Sequence, residues 1–179
     1  MRKVVGAVLA GGGSRRFGTD KAVALLAGKT LIERAMEQLA RVTDTVVVCG
    51  RHLDEVNCLY DQPHGGLGPL GGLQAALFYA VEHGSLGILS TGCDMPFFPV
   101  VLAEELMRDG PAVTIDHHLA GYWPTSLAPT LREHLRDCPD RSMRKWIAVV
   151  QPRLVAWPAG LPNINTPCDL SALEKSFGG

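Results

Sequence analysis

Several common signatures are missing from this chain, and each absence removes a class of function. The five cysteines, Cys49, Cys58, Cys93, Cys138 and Cys168, form no C-x-x-C pair and no regular spacing. That argues against a zinc site or a disulfide framework and fits a reduced, cytoplasmic setting. The apolar run from Val4 to Ala10 stops at Gly11-Gly12-Gly13, too short for a membrane span or an export signal. A formal net charge of -1 with 20% charged residues gives no bulk electrostatic reason to expect nucleic acid or a membrane as partner. No Ser/His/Asp or Cys/His arrangement stands out. His117-His118 has no second ligand cluster, and adjacent strand side chains point to opposite faces, so both read as solvated or packing residues. His52, His64, His83 and His134 have no evident partners, and no repeat, low-complexity tract or linker interrupts the sequence.

What is present is a regular alternation. At 179 residues the chain suits one domain, 1–179, with a substantial core. Residues 4–10 form an apolar run of the kind buried on both faces of a parallel sheet. Between Thr30 and Val42, Leu31, Ile32, Ala35, Met36, Leu39 and Ala40 recur at helical spacing, behind a Thr30/Glu33 capping box. A β-branched run at 45–50 completes a βαβ unit. The glycine- and proline-rich stretch 63–72 predicts a loop, followed by a helix from Leu73 to His83. A third buried strand is expected within 85–96, a helix from Pro99 to Arg108, a strand within 111–116 and a helix over 127–137. A last strand is expected from Leu154 to Trp157 and a final helix from Asp169 to Lys175. This order predicts an α/β fold of three layers around a mostly parallel sheet. Its ligands should sit outside the carboxyl ends of the strands, where the loops after residues 10, 63 and 94 would share one rim.

The clearest chemical signal is LAGGGSRRFGTDK, residues 9–21. Glycines let backbone N–H groups approach phosphate oxygens, and Arg15, Arg16 and Lys21 would neutralise their charge. The segment contains neither G-x-x-x-x-G-K-[ST] nor G-x-G-x-x-G, so it is no P-loop and no dinucleotide fingerprint. An ordinary tight turn with solvated cations is the plainer alternative. Asp94, in GCDMP beyond a predicted strand, is placed to hold Mg²⁺ through one carboxylate plus waters and substrate phosphates, or else is a turn aspartate. Asp61, ahead of GGLGPLGG, could read a base or ribose, or be a loop acid. Asn163 and Asn165 precede an expected N-cap at Thr166 with Pro167 in the first turn. DRSMRKW at 140–146 supplies Arg141, Arg144 and Lys145, as a solvated helical face or an anion site.

Together, LAGGGSRRFGTDK, GPLGGL at 68–73, CDMPF at 93–97, GYWPTSL at 121–127 and NINTPCDL at 163–170 resemble the molybdenum cofactor guanylyltransferase family, in that family's order and from end to end. The resemblance implies a single-domain, Rossmann-like nucleotidyltransferase. Such an enzyme transfers GMP from GTP to molybdopterin or its molybdenum-loaded form, with Mg²⁺ required and pyrophosphate released. It also implies transient contacts with other molybdenum-cofactor proteins. On it, Leu9, Ala10 and Gly11 contact the nucleotide with Gly12 and Gly13 in the same loop, and Arg15 and Lys21 engage phosphates. Gly50, Asp61 and the Gly68-Pro69-Leu70 turn lie around the guanosine, and Asp94 is the metal ligand. GYWPTSL, Arg141 to Arg144, Asn163 and Asn165 would form the opposite, pterin side of the cleft.

Two departures stand out: Arg16-Phe17-Gly18 replaces the usual Arg-Met-Gly, and Gly50 stands where the family often has an asparagine on the nucleotide. The related cytidylyltransferases typically have LAAG where this chain has Leu9-Ala10-Gly11-Gly12, which favours guanine. A sugar-phosphate nucleotidyltransferase would usually be longer. An adaptor that keeps the nucleotide fold without catalysis is the alternative from another class.

Overall fold

The computed structural model describes residues 3–11, 17–18, 20–61 and 65–177. The chain runs through strand β1 (Val4–Leu9), a small hairpin β2 (Leu25–Leu26) and β3 (Lys29–Thr30), helix α1 (Leu31–Ala40), β4 (Thr45–Cys49) and β5 (Cys58–Leu59). It continues through α2 (Pro69–Glu82), β6 (Gly87–Gly92), α3 (Val100–Leu106), β7 (Ala112–Thr114) and β8 (Gly121–Pro124). The remainder is α4 (Ala128–Asp137), α5 (Met143–Val150), β9 (Arg153–Val155) and α6 (Pro167–Phe177).

Seven strands form one sheet in the order β5-β4-β1-β6-β8-β7-β9. Every neighbouring pair is parallel except the two made by β8, which runs antiparallel to β6 and β7. The period of two along β1 divides the core. Val5, Ala7 and Leu9 face a layer containing Leu70, Leu73 and Leu77 of α2, Leu131 and Leu135 of α4 and Trp146 of α5. Val4 and Val8 face the other layer, with Ile32, Ala35 and Leu39 of α1 and Leu102, Ala103 and Leu106 of α3. The three-layer α/β arrangement expected from the sequence is therefore present. The capping box is also formed: Thr30 Oγ1 accepts from Glu33 N at 3.3 Å, and Thr30 N donates to Glu33 Oε2 at 2.7 Å.

The largest departure from expectation is at 69–72: of the loop expected over 63–72, residues 65–68 are non-helical, 63 and 64 lie outside the described residues, and the rest is helix. Gly71 and Gly72 lie inside α2, which begins at Pro69 behind Gly68 (φ +63°). Proline suits a first turn because its missing N–H has no helical partner there. Neither helical position has room for a side chain: a Cβ on Gly71 would stand 2.8 Å from Leu67 Cβ and 2.9 Å from Asp61 Cβ, in the segments flanking the helix start. One on Gly72 would stand 2.8 Å from Cys49 Cβ. The density of glycine that suggested a loop marks a close helix-to-sheet contact instead. Smaller shifts are ends: the 85–96 strand is confined to Gly87–Gly92, the 111–116 strand to Ala112–Thr114, and the last strand is Arg153–Val155 rather than Leu154–Trp157. His117-His118 sits in the turn between β7 and β8, not in a strand. No described helix is long and apolar enough to cross a membrane.

Candidate active site

The carboxyl ends of β4, β1 and β6 lie side by side, since Leu9 is paired with Cys49 on one side and Gly92 on the other. The segments that follow each strand are consequently neighbours. Ala10 N donates to Cys49 O at 2.9 Å, extending the ladder one residue past β1. Beyond it the backbones of Gly11 and Gly50 touch: Gly50 has φ +83°, and a Cβ there would lie 2.5 Å from Gly11 Cα and 2.8 Å from Gly11 N. An asparagine at 50 would collide with the glycine loop, so this position contributes backbone alone. Gly12, Gly13, Arg15 and Arg16 lie outside the described residues.

Asp94 is the meeting point of three distant segments. Lys21 Nζ donates to Asp94 Oδ2 at 3.3 Å and to Ile164 O at 3.1 Å, while Ile164 N donates to Asp94 O at 2.9 Å. The expected NINTP block thus closes directly on Asp94 and Lys21. The pair is mostly shielded, with side-chain exposures of 15% for Lys21 and 20% for Asp94. Asp94 Oδ1 is buried and has no hydrogen-bond partner among the described residues. It folds back over Gly92, where a Cβ would overlap it, so glycine before Cys93-Asp94 sets this carboxylate's orientation. A shielded carboxylate oxygen left without a partner, beside a lysine, fits a divalent cation completed by water and substrate phosphates. Among the described residues no group of three or more His, Cys, Asp or Glu side chains could hold a metal unaided. Next to Asp94, burial and then the Asp94 charge push the Cys93 thiol up to about 11, which keeps it protonated and unreactive.

Asp61 follows β5, three strands from β6 in the sheet. Its Cβ and Cγ pack under Gly71 in the first turn of α2, and its charge reaches Cys49. Burial first, then Asp61 and Cys58, push that thiol up to about 12. Gly68, Pro69 and Leu70 form the start of the same helix, so the guanosine-side residues expected from the sequence do converge. The two amides of the C-terminal block diverge. Asn163 Nδ2 donates to His117 Nδ1 at 3.1 Å and its Oδ1 is buried without a partner among the described residues, whereas Asn165 is exposed and its N–H donates to Asp169 Oδ2 in the first turn of α6 at 2.9 Å.

GYWPTSL does not line the cleft. As β8 pairs antiparallel with β6 from Ser90↔Gly121 to Gly87↔Pro124, the block runs away from the Asp94 rim. Trp123 is fully buried, donates Nε1–H to Ser90 Oγ at 3.0 Å and packs on Trp146 with ring centroids 6.3 Å apart. The turn between α4 and α5, carrying Arg141, comes back to the rim end. Both helices have their other ends at the foot of the sheet, beside Pro124 and Arg153. Sequence inspection missed Arg51, whereas His117, read as a solvated or packing residue, does pack. His117 stacks edge-on to Trp157 at 4.6 Å beside Asn163. Arg51 joins Asp20 at 2.8 Å, which holds the Asp20 carboxyl below its ordinary range. The signal for Arg51 was its position just past a strand ending in glycine.

Comparison with known proteins agrees with this fold. Residues 6–155 match the family described as MobA-like NTP transferase domain. A molybdenum cofactor guanylyltransferase of Rhodobacter capsulatus is 32% identical over 181 residues, covering 96% of this chain and 95% of its own length. Among solved structures, molybdopterin-guanine dinucleotide biosynthesis protein A from Archaeoglobus fulgidus superposes with a TM-score of 0.73 at 24% identity, covering 98% of each chain. Rv0371C of Mycobacterium tuberculosis H37Rv, solved in complex with manganese, does so with a TM-score of 0.63 at 15% identity, covering 97% of this chain and 98% of its own.

Proposed function

This chain belongs to the MobA-like NTP transferase family, and from that premise we propose that it transfers GMP from GTP to the terminal phosphate of molybdopterin, or of its molybdenum-loaded form. The observation that carries the reading is Asp94, clamped by Lys21 and Ile164 with one buried oxygen unpartnered. The acceptor's phosphate oxygen attacks the α-phosphorus, the bond from that phosphorus to the bridging oxygen breaks, and pyrophosphate leaves with the electron pair. The attacking oxygen is already anionic, so the reaction needs alignment and charge neutralisation more than a strong base, and no covalent enzyme intermediate.

Asp94 would hold Mg²⁺, which neutralises phosphate charge when bound. The relative solved with manganese supports a divalent ion in this fold. Lys21 would move between Asp94 and the phosphates, and Arg15 would join it from the glycine loop. Backbone groups of Leu9, Ala10, Gly11, Gly12, Gly13 and Gly50 would cradle the nucleotide. Asp61, with Gly68, Pro69 and Leu70, would hold the guanosine, and Asn163 and Asn165 would face the acceptor. We place the reaction in the cytoplasm, in keeping with five free cysteines, and in transient contact with other molybdenum-cofactor proteins.

The test is pyrophosphate release from GTP with Mg²⁺, with and without molybdopterin, and with CTP and ATP in parallel. Release that needs molybdopterin and prefers GTP supports the proposal. A CTP preference keeps the mechanism and changes the base. GTP binding without turnover of any nucleotide would leave a nucleotide-binding adaptor.

A further inference from the structure

Arg51 directly follows Gly50, whose backbone lies against the glycine loop. Its Nη2 reaches Asp20 Oδ1 at 2.8 Å, with side-chain exposures of 20% for the arginine and 46% for the aspartate. Asp20 adjoins Lys21 and also accepts from Ala22 N at 3.2 Å. The Arg51 Nε is buried with no acceptor among the described residues.

We propose that Arg51 is a further phosphate-binding cation, held ready by Asp20 and taken over by the diphosphate end of the bound nucleotide. The inference rests on the nucleotidyltransferase reading and adds a residue to its phosphate side. Nε and one Nη form the edge with which a guanidinium grips two phosphate oxygens, and here Nε lacks an acceptor while Nη2 rests on a half-exposed carboxylate. Such a pair is held weakly in water, so a polyanion displaces it.

The experiment is calorimetric titration of the full chain with pyrophosphate in the presence of Mg²⁺. Arg51→Gln is expected to weaken binding about tenfold or more, the value of one charge-assisted hydrogen bond, and Arg51→Lys to recover part of it. Asp20→Asn keeps the Oδ1 acceptor that Ala22 N and Arg51 share but removes its charge, so the hold on Arg51 loosens and pyrophosphate binding should hold or tighten. In turnover, Arg51→Gln should raise KM for GTP more than it lowers kcat. If Asp20→Asn weakens pyrophosphate as much as Arg51→Gln does, or if Arg51→Gln binds like wild type, the proposal is wrong. Lys21→Gln separates the two readings: wild-type pyrophosphate binding by that variant overturns the phosphate site itself. Loss in Lys21→Gln with none in Arg51→Gln overturns only the role given to Arg51.

Discussion

Replacing Gly71 with alanine sets helix propensity against packing, and the structure decides the sign. In an open helix, glycine to alanine gains about 1 kcal/mol. At Gly71 the new Cβ would lie 2.8 Å from Leu67 Cβ and 2.9 Å from both Asp61 Cβ and Cγ. The Cβ contacts cannot be relieved by rotating a side-chain end, because a Cβ moves only with its backbone. Overpacking of this kind costs roughly 1–3 kcal/mol, and three contacts under 3 Å put Gly71→Ala at the upper part of that range. After the propensity gain, the net loss is about 1–2 kcal/mol. For a domain of this size that lowers Tm by roughly 2–8 °C. Since Asp61 must yield together with Leu67, KM for GTP should rise about tenfold or more if the Asp61 carboxylate holds the guanosine. Differential scanning calorimetry and steady-state kinetics on the same preparation measure both. A Tm at or above wild type would refute the packing argument, and a lower Tm with unchanged KM would remove Asp61 from the nucleotide site.

Other outcomes follow from the same geometry. Asp94→Asn should keep the fold yet lose Mg²⁺-dependent turnover by about a hundredfold or more, read from initial rates across a Mg²⁺ titration. His134 is buried in α4, its Nε2 unpartnered, and burial followed by the nearby Lys145 lowers its pKa from 6.5. The unfolded chain therefore takes up a proton before the folded one does. Stability from this residue is full above pH 6.5 and declines as pH falls through the lowered folded value, so Tm against pH should flatten there in His134→Gln. Trp146→Ala should cost about 3–5 kcal/mol, seen as an earlier urea midpoint, because the ring is fully buried against Trp123 and His134.

Much of the architecture could be read from pattern: β1 is an unbroken apolar run buried on both faces, β4 a β-branched run ending at a glycine, and α1 announces itself by spacing and cap. What escaped was set by tertiary contact. No local rule places Gly71 and Gly72 in a helix until the nearness of Asp61 and Cys49 is known. Trp123 belonged to a block that resembled a cleft motif, yet the reversed direction of β8 sends it into the core. Asp94 and Lys21 were legible as types of residue in the right loops. Their junction with Ile164 was not, because it depends on a segment far along the chain.

That junction has a temporal side. Lys21 and Ile164 are 143 positions apart, and both close on Asp94. A chain emerging from the ribosome would present the glycine loop, β1, α1 and β4 early. Its carboxylate tip would lack its last fastening until the segment after β9 had been made. Competence is thereby tied to synthesis of that distant segment: a nascent chain stalled before Ile164 would carry the parts for gripping a nucleotide while its central acid stayed loosely held.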